Sequence, residues 1–204
     1  MVCRIRQSLV LSAVITMLLV SAAAPRAIAQ GRVAQQRPAG ARITVPADRI
    51  EIDDGDTVVI DWPDGDREVV RILGIDAPEI RHTEHDIPYD QPFGSEATGF
   101  ARGAFAVAHK IDLLRAPMKD PYGRSLGYLF LDGRNYSELI LRARLAVETI
   151  TRYGDNGLPQ EAAACLAAAK EAGPPPFENP QDYRERMRTI SDWMRKSGPP
   201  KTEK

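Results

Sequence analysis

Cysteine is nearly absent: Cys3 and Cys165 are the two in 204 residues. Cys3 falls in an export-type leader, so after processing Cys165 stands alone, which excludes an internal disulfide framework. It lies in the alanine-rich run 161–169, where a free thiol is expected to be buried and inert. Net positive charge is lacking too. The formal charge is −1, from 27 Lys and Arg against 28 Asp and Glu. A polyanionic partner would therefore not be drawn in by the field of the whole molecule and would need locally placed arginines. No internal repeat is visible. The longest apolar run, Ser8 to Ala24, is too short and too poorly flanked for a membrane span.

What that run does resemble is a signal peptide. Met1 to Gln7 carry Arg4 and Arg6 and no acid, and Ala27-Ile28-Ala29 puts small residues at −3 and −1 of a cleavage site. Residues 1–29 are thus expected to be removed, leaving a secreted or periplasmic protein with no stable membrane span. Removal takes three arginines and no acid, moving the formal charge from −1 to −4. Residues 30–41 are polar, with Gly, Pro and Gln and no apolar period, and read as a flexible linker.

Ordered structure is expected from Arg42. Ile43, Val45, Ile50 and Ile52 have strand character, and residues 57–60 form a second strand. Pro63-Asp64-Gly65-Asp66 is a turn, and Glu68 to Ile75 returns as a third strand, making 57–75 a hairpin. Ala97, Phe100, Ala101, Ala104, Phe105 and Ala108 have the spacing of a helix with one buried face. Residues 111–114 and 126–131 add two strands. Asn135 caps a second helix, with Glu138 completing a capping-box pattern, and a third helix near 159–172 is stopped by Gly173-Pro174-Pro175-Pro176. The pattern predicts a mainly β, α+β domain over 42–172: a five-stranded OB-fold barrel with about three packed helices. Residues 173–204 form a Pro-rich linker and an extra C-terminal helix. There Tyr183, Met187, Ile190 and Met194 make one stripe among Arg184, Arg186, Arg188, Arg195 and Lys196, expected to pack back onto the domain.

Residues 51–90 hold thirteen acids against three arginines. A solvated acidic face is the default reading of such a run, but the spacing argues for more. Asp56 precedes the second strand, and Asp76 and Glu79 follow the third, so an antiparallel hairpin brings all three to one edge. Converging carboxylates repel unless a cation or proton holds them, and calcium is the natural hard, oxygen-seeking occupant. Arg71 in the third strand and Arg124 before the fifth are guanidinium groups suited to gripping phosphate oxygens in pairs.

Asp54-Gly55-Asp56-Thr57, Val70-Arg71-Ile72-Leu73-Gly74-Ile75-Asp76-Ala77-Pro78-Glu79, Phe93-Gly94-Ser95-Glu96-Ala97 and Asp120-Pro121-Tyr122-Gly123-Arg124 occur in this order. Over roughly 42–150 the chain resembles staphylococcal nuclease-like (thermonuclease) proteins. The resemblance implies an OB-fold, calcium dependence, and hydrolysis of phosphodiester bonds in DNA or RNA by in-line water attack to leave 3′-phosphates. It implies calcium ligation by Asp56, Asp76 and the backbone carbonyl of Ala77. Glu79 corresponds to the residue that activates or positions water, Arg71 and Arg124 to the phosphate clamps, and Tyr122 to a nucleotide contact. A monomer is expected.

The chain departs from the family pattern at several positions. Pro121 replaces the Lys that often precedes Tyr-Gly-Arg, Arg144 replaces a Gly before Leu145, and Thr149 and Ile150 stand where an aromatic commonly stacks on the base. These changes bear on base stacking rather than on the metal and phosphate machinery. His82, Glu84, His85 and Asp86 form a polar cluster whose spacing suits no common zinc pattern, and it reads as solvated loop. Two other functions fit the fold: an OB-fold that holds nucleic acid without cutting it, and a cell-envelope interaction module working through the basic tail.

Overall fold

The computed structural model describes residues 33–197; the expected leader, 1–29, lies outside the described residues. Strands β3 (Thr57–Asp61) and β4 (Arg67–Ile72) form the expected hairpin, pairing Thr57 with Arg71 and Asp61 with Arg67. Alternation along β4 turns Glu68, Val70 and Ile72 inward, and leaves Arg67, Val69 and Arg71 on the other face. β4 also pairs in parallel with β7 (Ser125–Leu131), which sets Val70 opposite Ser125 and Arg71 opposite Leu126. With β1 (Arg42–Val45), β2 (Ile50–Ile52) and β6 (Ile111–Lys119), the strand order is β1-β6-β7-β4-β3-β2. The sheet curls into an OB-fold half-barrel, giving the mixed α+β architecture expected.

Helices α1 (Gly94–Val107), α2 (Tyr136–Arg142) and α4 (Pro159–Ala172) pack their small and apolar faces on this sheet in one continuous core. Asn135, which with Arg134 forms the short β8, caps α2 by accepting from the Ser137 amide at 2.9 Å. The four-residue α3 spans Ile150–Tyr153. Cys165 is fully buried, and burial pushes its thiol up to about 12, the behaviour of an inert thiol.

Three expectations are revised. The third strand stops at Ile72, because Gly74 takes φ +82° and turns the chain into a separate short strand, β5 (Ile75–Asp76), paired with β9 (Val147–Glu148). β6 continues to Lys119 rather than ending at Leu114, since Arg115 finds a buried partner in Glu68. Residues 33–40 are not a loose linker. The Lys119 amide donates to the Val33 carbonyl at 2.8 Å, the Gln35 amide to Pro117 at 2.8 Å and the Gly40 amide to Arg115 at 3.0 Å, so the segment runs along β6.

Helix α5 (Pro180–Ser197) packs back onto the domain. Tyr183 and Met187 are buried against Ile87, with Ile190 partly covered, in a cluster separate from the main core. Met194, the last member of the stripe, is 43 % exposed. The Tyr183 hydroxyl donates to the Tyr89 carbonyl at 2.9 Å, which fixes the helix on the loop between β5 and α1. Among the described residues no helix is long and apolar enough to cross a membrane.

Candidate active site

The turn before β3 is shaped by Asp54, whose Oδ1 accepts from the amides of Asp56 (2.8 Å) and Thr57 (2.7 Å). Gly55 permits a close approach. A Cβ there would lie 2.6 Å from the Ala77 Cβ, so no larger residue lets this turn meet the strand carrying Asp76. The Tyr136 hydroxyl donates to the Gly55 carbonyl at 2.8 Å and anchors the turn from below. Held in this way, Asp56 accepts from the Ala77 amide at 2.6 Å, twenty-one residues away.

Arg71 joins the two aspartates. One guanidinium nitrogen pairs with Asp56, and the other donates to Asp76 at 2.6 Å. Asp56 and Asp76 are 2 % and 5 % exposed, so the edge expected to gather carboxylates does gather them. Glu79 follows three residues on, at the same edge. Its amide donates to Gln91 Oε1 at 3.1 Å, and its carbonyl accepts from the Gln91 amide at 2.8 Å. Gln91 is itself buried. The Glu79 carboxylate is tied to Asp76 by a guanidinium from outside the barrel: Arg184, on α5, pairs with Glu79 and donates to Asp76 at 3.1 and 2.7 Å.

The electrostatics follow from burial and charge count. Burial alone raises Asp76 most, but Arg71 and Arg184 together outweigh it and hold its carboxyl below the usual range. At Glu79 burial wins over Arg184 and raises the carboxyl, with Asp76 and Asp54 adding to the rise. Asp54 is raised by burial too, against the pull of Arg71 and, more weakly, Arg124.

Arg124 lies just before Ser125, the β7 residue that pairs with Val70, so the parallel register sets it level with Val69, two residues before Arg71, and its charge is felt at Asp54. Its Nε donates to Asp120 at 2.6 Å, and Asp120 also accepts from the Tyr122 and Arg124 amides. Tyr122 is 84 % exposed, its ring centroid 5.8 Å from the Arg124 guanidinium. Where a base-stacking aromatic was sought, Glu148 caps the amides of Ile150 and Thr151 and starts α3; Tyr153 at its end is 53 % exposed. In the loop 82–86, His82 meets Glu84 and Asp86 is taken by Arg195.

Sequence reasoning missed Gln91, Asp54, Asp120 and Arg184. Asp54 and Asp120 stand inside the motifs that carry the resemblance and were legible as turn-forming aspartates. Gln91 has no local signal. Arg184 was visible only as one of several tail arginines.

Among the described residues no three His, Cys, Asp or Glu side chains form a ready-made metal cage. Asp56 and Asp76 are a pair. The donors fit a hard divalent ion in kind: two buried carboxylates drawn together by one guanidinium, beside the main chain of Ala77.

An OB-fold that gathers acids and arginines at one barrel edge defines a class of protein, and the comparisons identify it. The family described as "Staphylococcal nuclease homologue" matches residues 69–173, and the chain belongs to that family. It is 33 % identical over 98 residues to the thermonuclease of Staphylococcus hyicus, covering 48 % of this chain and 55 % of that protein. To the thermonuclease of Staphylococcus intermedius it is 34 % identical over 94 residues, 46 % and 53 % of the two chains. To endonuclease YncB of Bacillus subtilis (strain 168) it is 29 % identical over 108 residues, 50 % and 49 %. The chain thus spans about half the length of the curated relatives it matches.

Proposed function

We propose that this protein is an exported, calcium-dependent nuclease that hydrolyses phosphodiester bonds of DNA or RNA. The observation that carries the reading is the union of Asp56 and Asp76 through Arg71, with Glu79 tied to the same Asp76. Relatives named thermonuclease and endonuclease support it, and the leader-like 1–29 supports export.

Phosphoryl transfer needs an in-line nucleophile and a grip on the charged equatorial oxygens. Asp56, Asp76 and the carbonyl of Ala77 would hold calcium, which when bound supplies Lewis-acid neutralisation of a phosphate oxygen. Arg71 and Arg124 grip the remaining oxygens, pairing with phosphate as they pair with carboxylates in its absence. Glu79, with its raised affinity for a proton, orients the attacking water and accepts a proton from it. Attack opposite the 5′ oxygen breaks the P–O5′ bond, leaving a 3′-phosphate and a 5′-hydroxyl. Tyr122, exposed beside Arg124, contacts the nucleotide. Few protein ligands imply weak calcium binding, roughly 10⁻⁴–10⁻³ M as in extracellular modules, which an exported protein tolerates.

A second reading, an OB-fold that binds nucleic acid without cutting it, has one observation in its favour: Arg184 occupies the carboxylates of Glu79 and Asp76 that cutting would use. Incubating the protein with single-stranded DNA, first with calcium and then with chelator, decides between them. Calcium-dependent digestion that a Glu79→Gln variant lacks is the expected result. Retention of DNA with no digestion overturns the nuclease reading in favour of the binding module.

A further inference from the structure

We propose that Arg184 is a tethered competitor for the divalent cation: α5 lays its guanidinium across Asp76 and Glu79, and a cation must displace it to bind. The inference rests on the reading of Asp76 as a metal ligand and adds a control that the family resemblance does not supply. The matched family segment ends at residue 173, whereas α5 begins at Pro180.

The geometry is that of occupation, not of chance proximity. Arg184 Nη2 donates to Asp76 Oδ2 at 2.7 Å, and Nη1 donates to Asp76 Oδ1 at 3.1 Å while also pairing with Glu79. Arg71 donates to the same Oδ1. Both oxygens of Asp76 are therefore committed to guanidinium donors, and a cation arriving there meets a positive charge on the atoms it needs. Charge points the same way: Arg184 supplies positive charge to Asp76 and Glu79, the charge a cation at Asp76 would otherwise supply, so the two compete for the same oxygens.

The tether is built to release. Its seat is a small separate cluster of Ile87, Tyr183 and Met187, outside the main core. Around it lie two partly buried hydrogen bonds, Tyr183 to the Tyr89 carbonyl and Gln91 Nε2 to the Glu178 carbonyl at 2.6 Å. Beyond these, Phe177 just before the helix meets Phe93 with ring centroids 5.8 Å apart, and the Arg195 to Asp86 ion pair is largely exposed and contributes little. Small satellite clusters open at lower cost than a core. The same seat supports the 79–91 loop, so a single motion of α5 uncovers Asp76 and frees Glu79.

Apparent affinity for a ligand scales with the fraction of molecules in the competent state. If Arg184 is released in about a tenth of molecules, removing it tightens calcium binding about tenfold. The test uses the full chain and isothermal titration with calcium on wild type, Arg184→Gln and Met187→Asp, the last unseating α5 while keeping the arginine. The expected result is calcium binding about tenfold tighter in Arg184→Gln and tighter in Met187→Asp. In wild type, calcium should also raise amide hydrogen exchange across 180–197. Unchanged or weaker calcium binding by both variants overturns the proposal, as does an absence of calcium binding in all three proteins. If calcium binding tightens as expected yet no protein digests DNA, the competitor stands and the nuclease reading falls.

Discussion

Two arginine–carboxylate clusters lie within one barrel, and they are built to opposite ends. In the first, Glu68 is a single carboxylate met by Arg115 at 2.8 and 2.7 Å, Ser125 at 2.5 Å and Trp62 at 2.8 Å. Arg115 and Glu68 are 1 % and 5 % exposed, and no acid is in excess. In the second, Asp56, Asp76 and Glu79 share Arg71 and Arg184, with Asp54 close by. One cluster is closed and saturated; the other has more acid than base and draws its second guanidinium from a detachable helix. Stoichiometry, more than the presence of charge, separates a pair that holds the fold from a site prepared for a cation.

The contrast can be broken most forcefully at the closed cluster. Glu68→Gln strands a buried guanidinium and should cost about 3–5 kcal/mol of folding stability, read by denaturant unfolding; a loss under about 1 kcal/mol would mean that the pair is dispensable. At the open cluster the effect should fall on rate. Arg124→Ala should lower kcat by roughly 10²–10³, about 2.7–4 kcal/mol of barrier, while stability moves by about 1 kcal/mol or less, because the buried Asp120 keeps the Tyr122 and Arg124 amides as donors when the guanidinium is lost. Equal rates for variant and wild type would remove Arg124 from the phosphate grip.

Acid sharpens the same comparison. Burial opposes ionisation of Glu68, but Arg115, Ser125 and Trp62 outweigh it and leave its folded pKa below the ordinary 4.5. Its contribution is therefore fully present above pH 4.5 and is lost as pH falls through the folded value. The stability gap between wild type and Glu68→Gln should be constant near neutrality and narrow steadily below pH 4.5. A gap independent of pH would deny the depressed carboxyl. The smallest effect is expected away from both clusters, where Asn135→Ala removes the α2 cap at a cost of about 1 kcal/mol, measurable as a lowered Tm with the calcium response unaltered.

Legibility in the sequence followed locality. Helix α4 was bounded correctly at 159–172 because Gly173 and three prolines end it, and the β3–β4 hairpin because Asp64-Gly65 dictates a turn. The convergence of Asp56, Asp76 and Glu79 was legible because a hairpin brings chosen ends together whatever the rest of the fold does. What failed was non-local. The strand from Ile111 was expected to stop at Leu114, since nothing beside Arg115 in sequence announces that Glu68, forty-seven residues earlier, neutralises it. Gln35 looked like linker until Pro117 and Ser125 satisfied it. Arg184 lies 105 residues from Glu79; the stripe of Tyr183 and Met187 foretold that α5 would dock, but not which arginine it would deliver.

The central claim is that these acids form one cation site at the barrel edge, and a crystal structure of the full chain grown with calcium tests it most directly. The account predicts calcium bound between Asp56 and Asp76, at about 2.3–2.6 Å from carboxylate oxygens, with Arg184 withdrawn from Asp76. Calcium seated in the 82–86 loop instead, with Arg71 and Arg184 still holding both aspartates, would contradict it.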